Sequence, residues 1–263
     1  MGDSFTEGTL GKTGLNVGRL GISGGYGASA EAIEMAFERG CNYLYHGSFR
    51  RKGMNNAIKN LCARGQRDKM IVIAQVYWRL GWLLNWSFEG FLKKTGLDYA
   101  DVLLLGWHDS TPTKRILDAC AKLKEQKKFR FLAISAHNRP AFPEFAKTGL
   151  YDIFHVRYNA AHPGAETDVF SKLPAEGRPG IVTYTTTRWG GLINPRKTPP
   201  GERTPSASDC YRFAMSNPAV NICMSGPKNL EETQEALSAL DKGPLTPDEM
   251  AWMRRVGAHM RVK

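Results

Sequence analysis

Apolar and polar positions along this chain follow two periods, and the period switches at nearly regular intervals. Near-continuous apolar, β-rich runs recur at residues 17–22, 41–45, 70–74, 101–105, 131–134, 151–156, 180–184 and 219–223. Runs this apolar predict parallel strands covered on both faces, not strands with one wet side. Between them the spacing becomes helical. Ala32, Ile33, Ala36 and Phe37 make one apolar face, and Ile116, Cys120 and Leu123 another. Leu230, Thr233, Leu237 and Leu240 make a third. Helix starts are marked as well. Thr246-Pro247-Asp248-Glu249 pairs a capping Thr with Pro at the first helical position and a Glu that reaches back. Ser206 to Asp209 and Asn229 to Glu232 carry similar caps.

Eight such units predict an α/β fold: a closed (β/α)₈ TIM barrel, one domain over residues 1–263, ending in a C-terminal helix. An open doubly wound sheet is the alternative. Gly24-Gly25-Tyr26-Gly27 comes after the first run, but the dinucleotide fingerprint needs a further glycine at position 30, which is Ala. Residues 188–205 are rich in Pro and Gly and predict a long loop, either a lid over the site or a solvated surface excursion.

Composition changes little, and charge changes more. The chain is 42% hydrophobic with a formal charge of +11. Its basic clusters are short: Lys122, Lys124, Lys127 and Lys128, then Arg254 and Arg255. They fall on helical faces, so neither nucleic acid nor a membrane is expected as a partner. A small-molecule substrate, anionic in character, or a phosphate-bearing cofactor suits the excess. The five cysteines are odd in number and contain no CxxC pair, which predicts reduced thiols in a cytoplasmic protein. No apolar run reaches membrane-spanning length. Oligomeric state is left open.

Candidate chemistry collects at the ends of the runs, where barrels keep their active sites. Five of the six histidines lie there: His46, His108, His137, His155 and His162. Histidine suits proton transfer near neutral pH. Tyr45 is the candidate proton donor, if a nearby cation such as Arg50 or His46 lowers its pKa. His46 and His108 would polarise it, and Arg50 would anchor an oxyanion or carboxylate. Tyr26, Gln75, Tyr77, Trp78 and Trp107 would line the substrate pocket, with His137, Arg188 and Trp189. No HxH or HExxH spacing occurs, and no metal is expected. Ser225, Gly226 and Lys228 precede a helix capped by Asn229, a suitable place for an anion.

Several segments resemble the aldo-keto reductases. Leu10 to Gly21 is similar to that family's opening hairpin and first strand. Glu38 to Tyr43, Leu97 to Leu105, Arg130 to Ser135 and Gly226 to Asn229 resemble later segments, in order. The resemblance implies NADPH as cofactor and reduction of a small carbonyl compound. It implies that Ser135 holds the nicotinamide amide, that Tyr184 stacks on the ring, and that residues 225–228 hold the adenosine phosphate. His155 stands where the family has Gln, Ala136 where it has Asn, Ala236 where Asn meets adenine, and Glu232 where a basic or amide group is usual. The family's catalytic Asp, Tyr, Lys and His fall on Tyr45, Arg50, Gln75 and Gly106. All four are replaced, so the acid–base set is non-standard. A non-redox barrel enzyme using His/Tyr chemistry and a silent binding protein are the alternatives.

Overall fold

A computed structural model describes residues 4–47, 49–174 and 176–262. Strands β1 (Glu7–Thr9) and β2 (Asn16–Gly18) form an antiparallel hairpin. Eight parallel strands then close a barrel: β3 (Leu20–Ser23), β4 (Tyr43–Tyr45), β5 (Ile71–Val76), β6 (Ala100–Leu105), β7 (Phe129–Ala136), β8 (Ile153–Arg157), β9 (Gly180–Tyr184) and β10 (Ile222–Ser225). β10 pairs with β3 and completes the circle. The helices are α1 (Ala30–Glu38), α2 (Lys52–Ala63), α3 (Gly81–Thr95), α4 (Lys114–Glu125), α5 (Ala141–Lys147), α6 (Ala165–Asp168), α7 (Ala207–Met215), α8 (Leu230–Lys242) and α9 (Pro247–Val262).

The expected fold is the observed one, and its cause is side-chain parity. Successive strand residues point to opposite faces. On β5, Ile71 and Ile73 enter the lumen while Val72 and Ala74 meet the helices. The lumen core is Leu10, Val17, Tyr43, Ile71, Ile73, Val102, Leu104, Ala133, Ile153, Val182, Ile222 and Met224. Because the hairpin contributes Leu10 and Val17, it closes the end where the strands begin. The outer layer packs Leu44, Leu103, Ile134, Phe154 and Ile181 against the helices. Capping obeys the sequence signals: Ser206 and Asp209 cap α7 reciprocally, and Asn229 accepts from the Glu232 N–H at the start of α8.

Several strand ends shift by one or two residues, and two runs differ more than that. The run 17–22 belongs to two strands, a hairpin arm and the first barrel strand, with the turn at Arg19. The last strand starts at Ile222, later than the apolar run, because residues 217–220 form a turn closed by the Val220 N–H on the Asn217 carbonyl. All five cysteines are free thiols. Among the described residues no helix is long and apolar enough to cross a membrane.

Candidate active site

The open end of the barrel is built from the segments that leave the C-terminal ends of the strands. Parity decides which side chains reach it. Tyr43 and Tyr45 of β4 both face the lumen, so His46 faces outward. It is 2% exposed, shares a 2.6 Å hydrogen bond with Asn55 of α2 and packs edge-on against Phe91 of α3. Burial holds it down to about 4, so it is neutral. It does not reach the mouth and cannot polarise Tyr45.

Tyr45 therefore sits among tyrosines, not cations. Burial raises its pKa well above the usual value, and neighbouring Tyr77 adds to the rise, as do Tyr26 and Tyr43. One layer deeper, Tyr43 Oη and His155 Nε2 share a buried hydrogen bond of 2.8 Å. Burial pushes His155 down to about 3. This neutral pair packs beneath Tyr45, whose ring lies 6.2 Å from the imidazole. Arg50 is exposed, adopts φ +47° and has its aliphatic stem beside Gly27.

Tyr77 occupies the space a larger residue would need at Gly106. A Cβ there would come within 2.7 Å of the Tyr77 ring and of Gln75 Nε2. Small Gly106 thus goes together with the Tyr77 position. The buried Gln75 Oε1 has no hydrogen-bond partner among the described residues, so a buried acceptor waits for a donor.

Beyond β6, Trp107 adopts φ +65°. Its backbone N–H donates to Ser135 Oγ at 3.0 Å, and His108 N–H donates to the Ser135 carbonyl at 2.8 Å. Ser135 is thereby committed to holding this turn. The Trp107 indole N–H donates to His137 Nδ1 at 2.7 Å, which makes His137 a neutral ring with its free N–H at Nε2. His108 is 6% exposed and accepts from Arg79 at 2.9 Å. Burial first, then that guanidinium, pulls its pKa down to about 4. It is a neutral acceptor, not a proton donor. Arg79 also donates to the carbonyls of Tyr77 and Trp107 and so ties the β5 and β6 exits together. Sequence reading missed it, since a lone Arg in a loop carries no signal.

The exits of β7, β8 and β9 bring His137, Arg157 and Tyr184 side by side; Arg157 pairs with Tyr184 in register. Among the described residues neither Arg157 nor Arg188 has a carboxylate at ion-pair distance, whereas nearby Arg139 is held by Asp168 at 2.7 Å. Burial, Arg157, Arg188 and Arg139 together keep His162 below its ordinary value. Tyr184 Oη donates to the Ala136 carbonyl at 3.3 Å, and burial raises it to about 12. Thr185, Arg188 and Trp189 all adopt left-handed φ in the loop after β9. Such strain at non-glycine residues collects at functional sites. Trp78 and Trp189 stand outward, 45% and 67% exposed.

The β10 exit reads differently. Ser225 Oγ donates to the Gly21 carbonyl at 2.8 Å and stays in the strand layer. Gly226 lies under the Tyr26 ring, 2.5 Å from where a Cβ would stand. The backbone N–H of Lys228 donates to Glu232 at 2.9 Å, and its ammonium lies 3.5 Å from the same carboxylate. The helix start is thus filled by its own acid. Among the described residues no group of three metal-ligating side chains gathers.

No family model and no curated protein sequence matches the chain. Solved structures do. An aldo-keto reductase from Bacillus halodurans, in its holo form, superposes with a TM-score of 0.78 at 18% identity, covering 95% of this chain and 96% of that one. An aldo/keto reductase from Klebsiella pneumoniae in complex with NADP and acetate gives 0.74 at 18%, covering 95% of each chain. A Klebsiella pneumoniae aldo-keto reductase in complex with NADPH gives 0.74 at 18%, covering 98% of this chain and 96% of that one. The protein therefore has the aldo-keto reductase barrel fold over nearly its whole length, hairpin included.

Proposed function

We propose that this barrel is an NADPH-dependent oxidoreductase that reduces a small anionic carbonyl compound, with Tyr45 as the proton donor. The observation that carries the reading is the unpartnered Gln75 acceptor packed with the Tyr77 ring at Gly106, beside lumen-facing Tyr45 and with Arg157 and Arg188 free of carboxylates among the described residues. The bound NADP, NADPH and acetate of the two Klebsiella pneumoniae structures support it by analogy of fold.

NADPH, when bound, supplies the hydride. By the resemblance, Ser135 and Tyr184 would hold its nicotinamide end, with Ser135 keeping its contact to the Trp107 N–H, and Lys228 would hold its phosphate. Glu232 must swing away first. An exposed i,i+4 ion pair is weak, so a phosphate can displace it. Tyr45 keeps its proton across the neutral range because its pKa is raised. An alkoxide forming at the mouth is more basic still and takes that proton. Tyr77, 44% exposed, returns one from solvent. Arg157 and Arg188 would hold the carboxylate or phosphate of the substrate.

The filled α8 start and the Tyr26 ring over Gly226 favour a second reading, a cofactor-free acid–base enzyme in the same mouth. Titration with NADPH, monitored by tryptophan fluorescence, separates the two. The first reading expects saturable quenching, and Tyr45→Phe then lowers turnover about 100-fold with cofactor affinity unchanged. Absence of saturable binding at millimolar NADPH removes it.

A further inference from the structure

Exposed apolar side chains are distributed unevenly between the two ends of the barrel. Of the twelve large ones exposed among the described residues, eleven lie in segments that leave the C-terminal ends of barrel strands. Leu150, between α5 and β8, is the exception. The densest group is Trp78, Leu80, Trp82 and Trp86, with Trp82 and Trp86 each 68% exposed. These last two are four residues apart on α3 and share one face. Its opposite face buries Leu84, Phe88, Phe91 and Leu92. A helix lying on a barrel needs one apolar stripe, and α3 begins with a second. Phe49, in the segment after the neighbouring strand β4, is 79% exposed as well.

The same rim is basic. Segments 46–52, 77–86 and 106–115 hold six Lys and Arg and a single acid, Asp109. That acid is committed to the backbone N–H groups of His137 and Asn138. Arg50, Lys52, Lys114 and Arg115 are exposed, and among the described residues Lys114 alone of them shares its charge with an acid, Asp118.

We propose that this rim docks the barrel, mouth first, on an anionic lipid surface. Tryptophan is the side chain best suited to the boundary between headgroups and acyl chains. Basic side chains beside it meet anionic headgroups, and the two contributions together give peripheral binding. Leu80 and a helical tryptophan pair are ordered for insertion, not for stacking on successive bases. A second copy of this chain is disfavoured by charge, since a two-fold contact sets the six cations against six. The docking is peripheral, because no described helix spans a bilayer. It revises the expectation that membranes are not partners, and it stands whether or not the barrel reduces carbonyls.

The test is sedimentation of the full chain with phosphatidylcholine vesicles and with mixed phosphatidylcholine–phosphatidylglycerol vesicles, reading tryptophan emission. The mixed vesicles should bind the protein with a blue shift, roughly tenfold or more tighter than phosphatidylcholine alone. Trp82→Gln with Trp86→Gln should lose most of the shift and weaken binding by about tenfold or more. Lys52→Gln with Arg115→Gln should weaken binding by a similar factor, about tenfold, while any protein still bound keeps its shift. Circular dichroism matching the parent shows both pairs to be folded, and these are surface positions on separate elements, so either pair suffices. Failure to bind the mixed vesicles overturns the proposal. So does binding unchanged in both variants. A concentration-dependent dimer abolished by the tryptophan pair would assign the face to a second copy, and an oligonucleotide complex that vesicles do not displace would assign it to nucleic acid.

Discussion

Two places at the open end of this barrel are suited to an anion, and they differ in one respect. At the exits of β8 and β9, Arg157 and Arg188 have no carboxylate partner among the described residues and flank the neutral rings of His137 and His162. At the start of α8, Lys228 offers a backbone N–H and an ammonium, and Glu232 takes both. The first place is open to a ligand and the second is self-capped. A count of basic residues does not separate them. What separates them is whether a carboxylate lies within reach, so availability of positive charge is a property of the local partner set, not of the net +11.

The largest expected effect tests the open place. Arg157→Ala should weaken a carboxylate or phosphate ligand by roughly 10- to 100-fold, about 1.5–3 kcal/mol, the usual worth of a charge-assisted hydrogen bond. Arg157→Lys should recover part of that, since the charge remains and the two-pronged geometry does not. Chemical-shift titration with acetate and with phosphate measures both. Equal affinity in parent and Arg157→Ala would show that β8 and β9 do not form an anion site, and the comparison would fail on that side.

Much of this was legible in the residues, and the misses have physical causes. Barrel strands announced themselves because both their faces are buried, as Ile71 to Ala74 and Val102 to Leu105 show. Parity was legible too. With Tyr43 and Tyr45 facing the lumen, His46 had to face the helices, and with Met224 inward, Ser225 had to turn to Gly21. Treating every residue near a strand end as a mouth residue ignored that rule. Glu232 was readable as well: an acid three residues after a capping Asn reaches back over the helix start, and here it reaches Lys228. The Arg79–His108 contact was not readable, because it joins two loops whose approach depends on the whole barrel closing.

A smaller effect is expected where the site is self-capped. Glu232→Gln removes the carboxylate that competes for Lys228 while leaving a polar group at the third helical position. The Lys228 side chain is 64% exposed and that of Glu232 43%, so solvent already screens much of their attraction. The gain in affinity for NADPH, or for inorganic phosphate, should therefore be modest, about tenfold or less. Isothermal calorimetry on parent and variant reads it directly. A loss of affinity would mean that Glu232 contributes to binding, by holding the α8 start in shape, and the two anion places would then be closer in kind than their partners suggest.

Acid should sharpen the contrast by the smallest amount. His137 is held below its ordinary 6.5 by burial and then by Arg157, against a smaller opposite pull from Asp109. His162 is held below it by burial and then by Arg157, Arg188, Arg139 and Arg261. Both rings are therefore neutral at physiological pH, and protonating either adds a positive charge beside the two arginines. A bound anion stabilises the protonated rings and raises their pKa values. Affinity at the open place should consequently increase as the pH falls through and below 6.5, by a few-fold, and level off once the rings are protonated in the free protein as well. Ligands are to be chosen that keep their own charge over the interval, sulfate being suitable. The α8 start holds no histidine, so the same titration of a sulfate-binding Glu232→Gln protein in which Arg157 is also replaced by Ala should be flat through that interval. A rise of equal size in that double variant would place the titrating groups elsewhere and detach the histidines from the site.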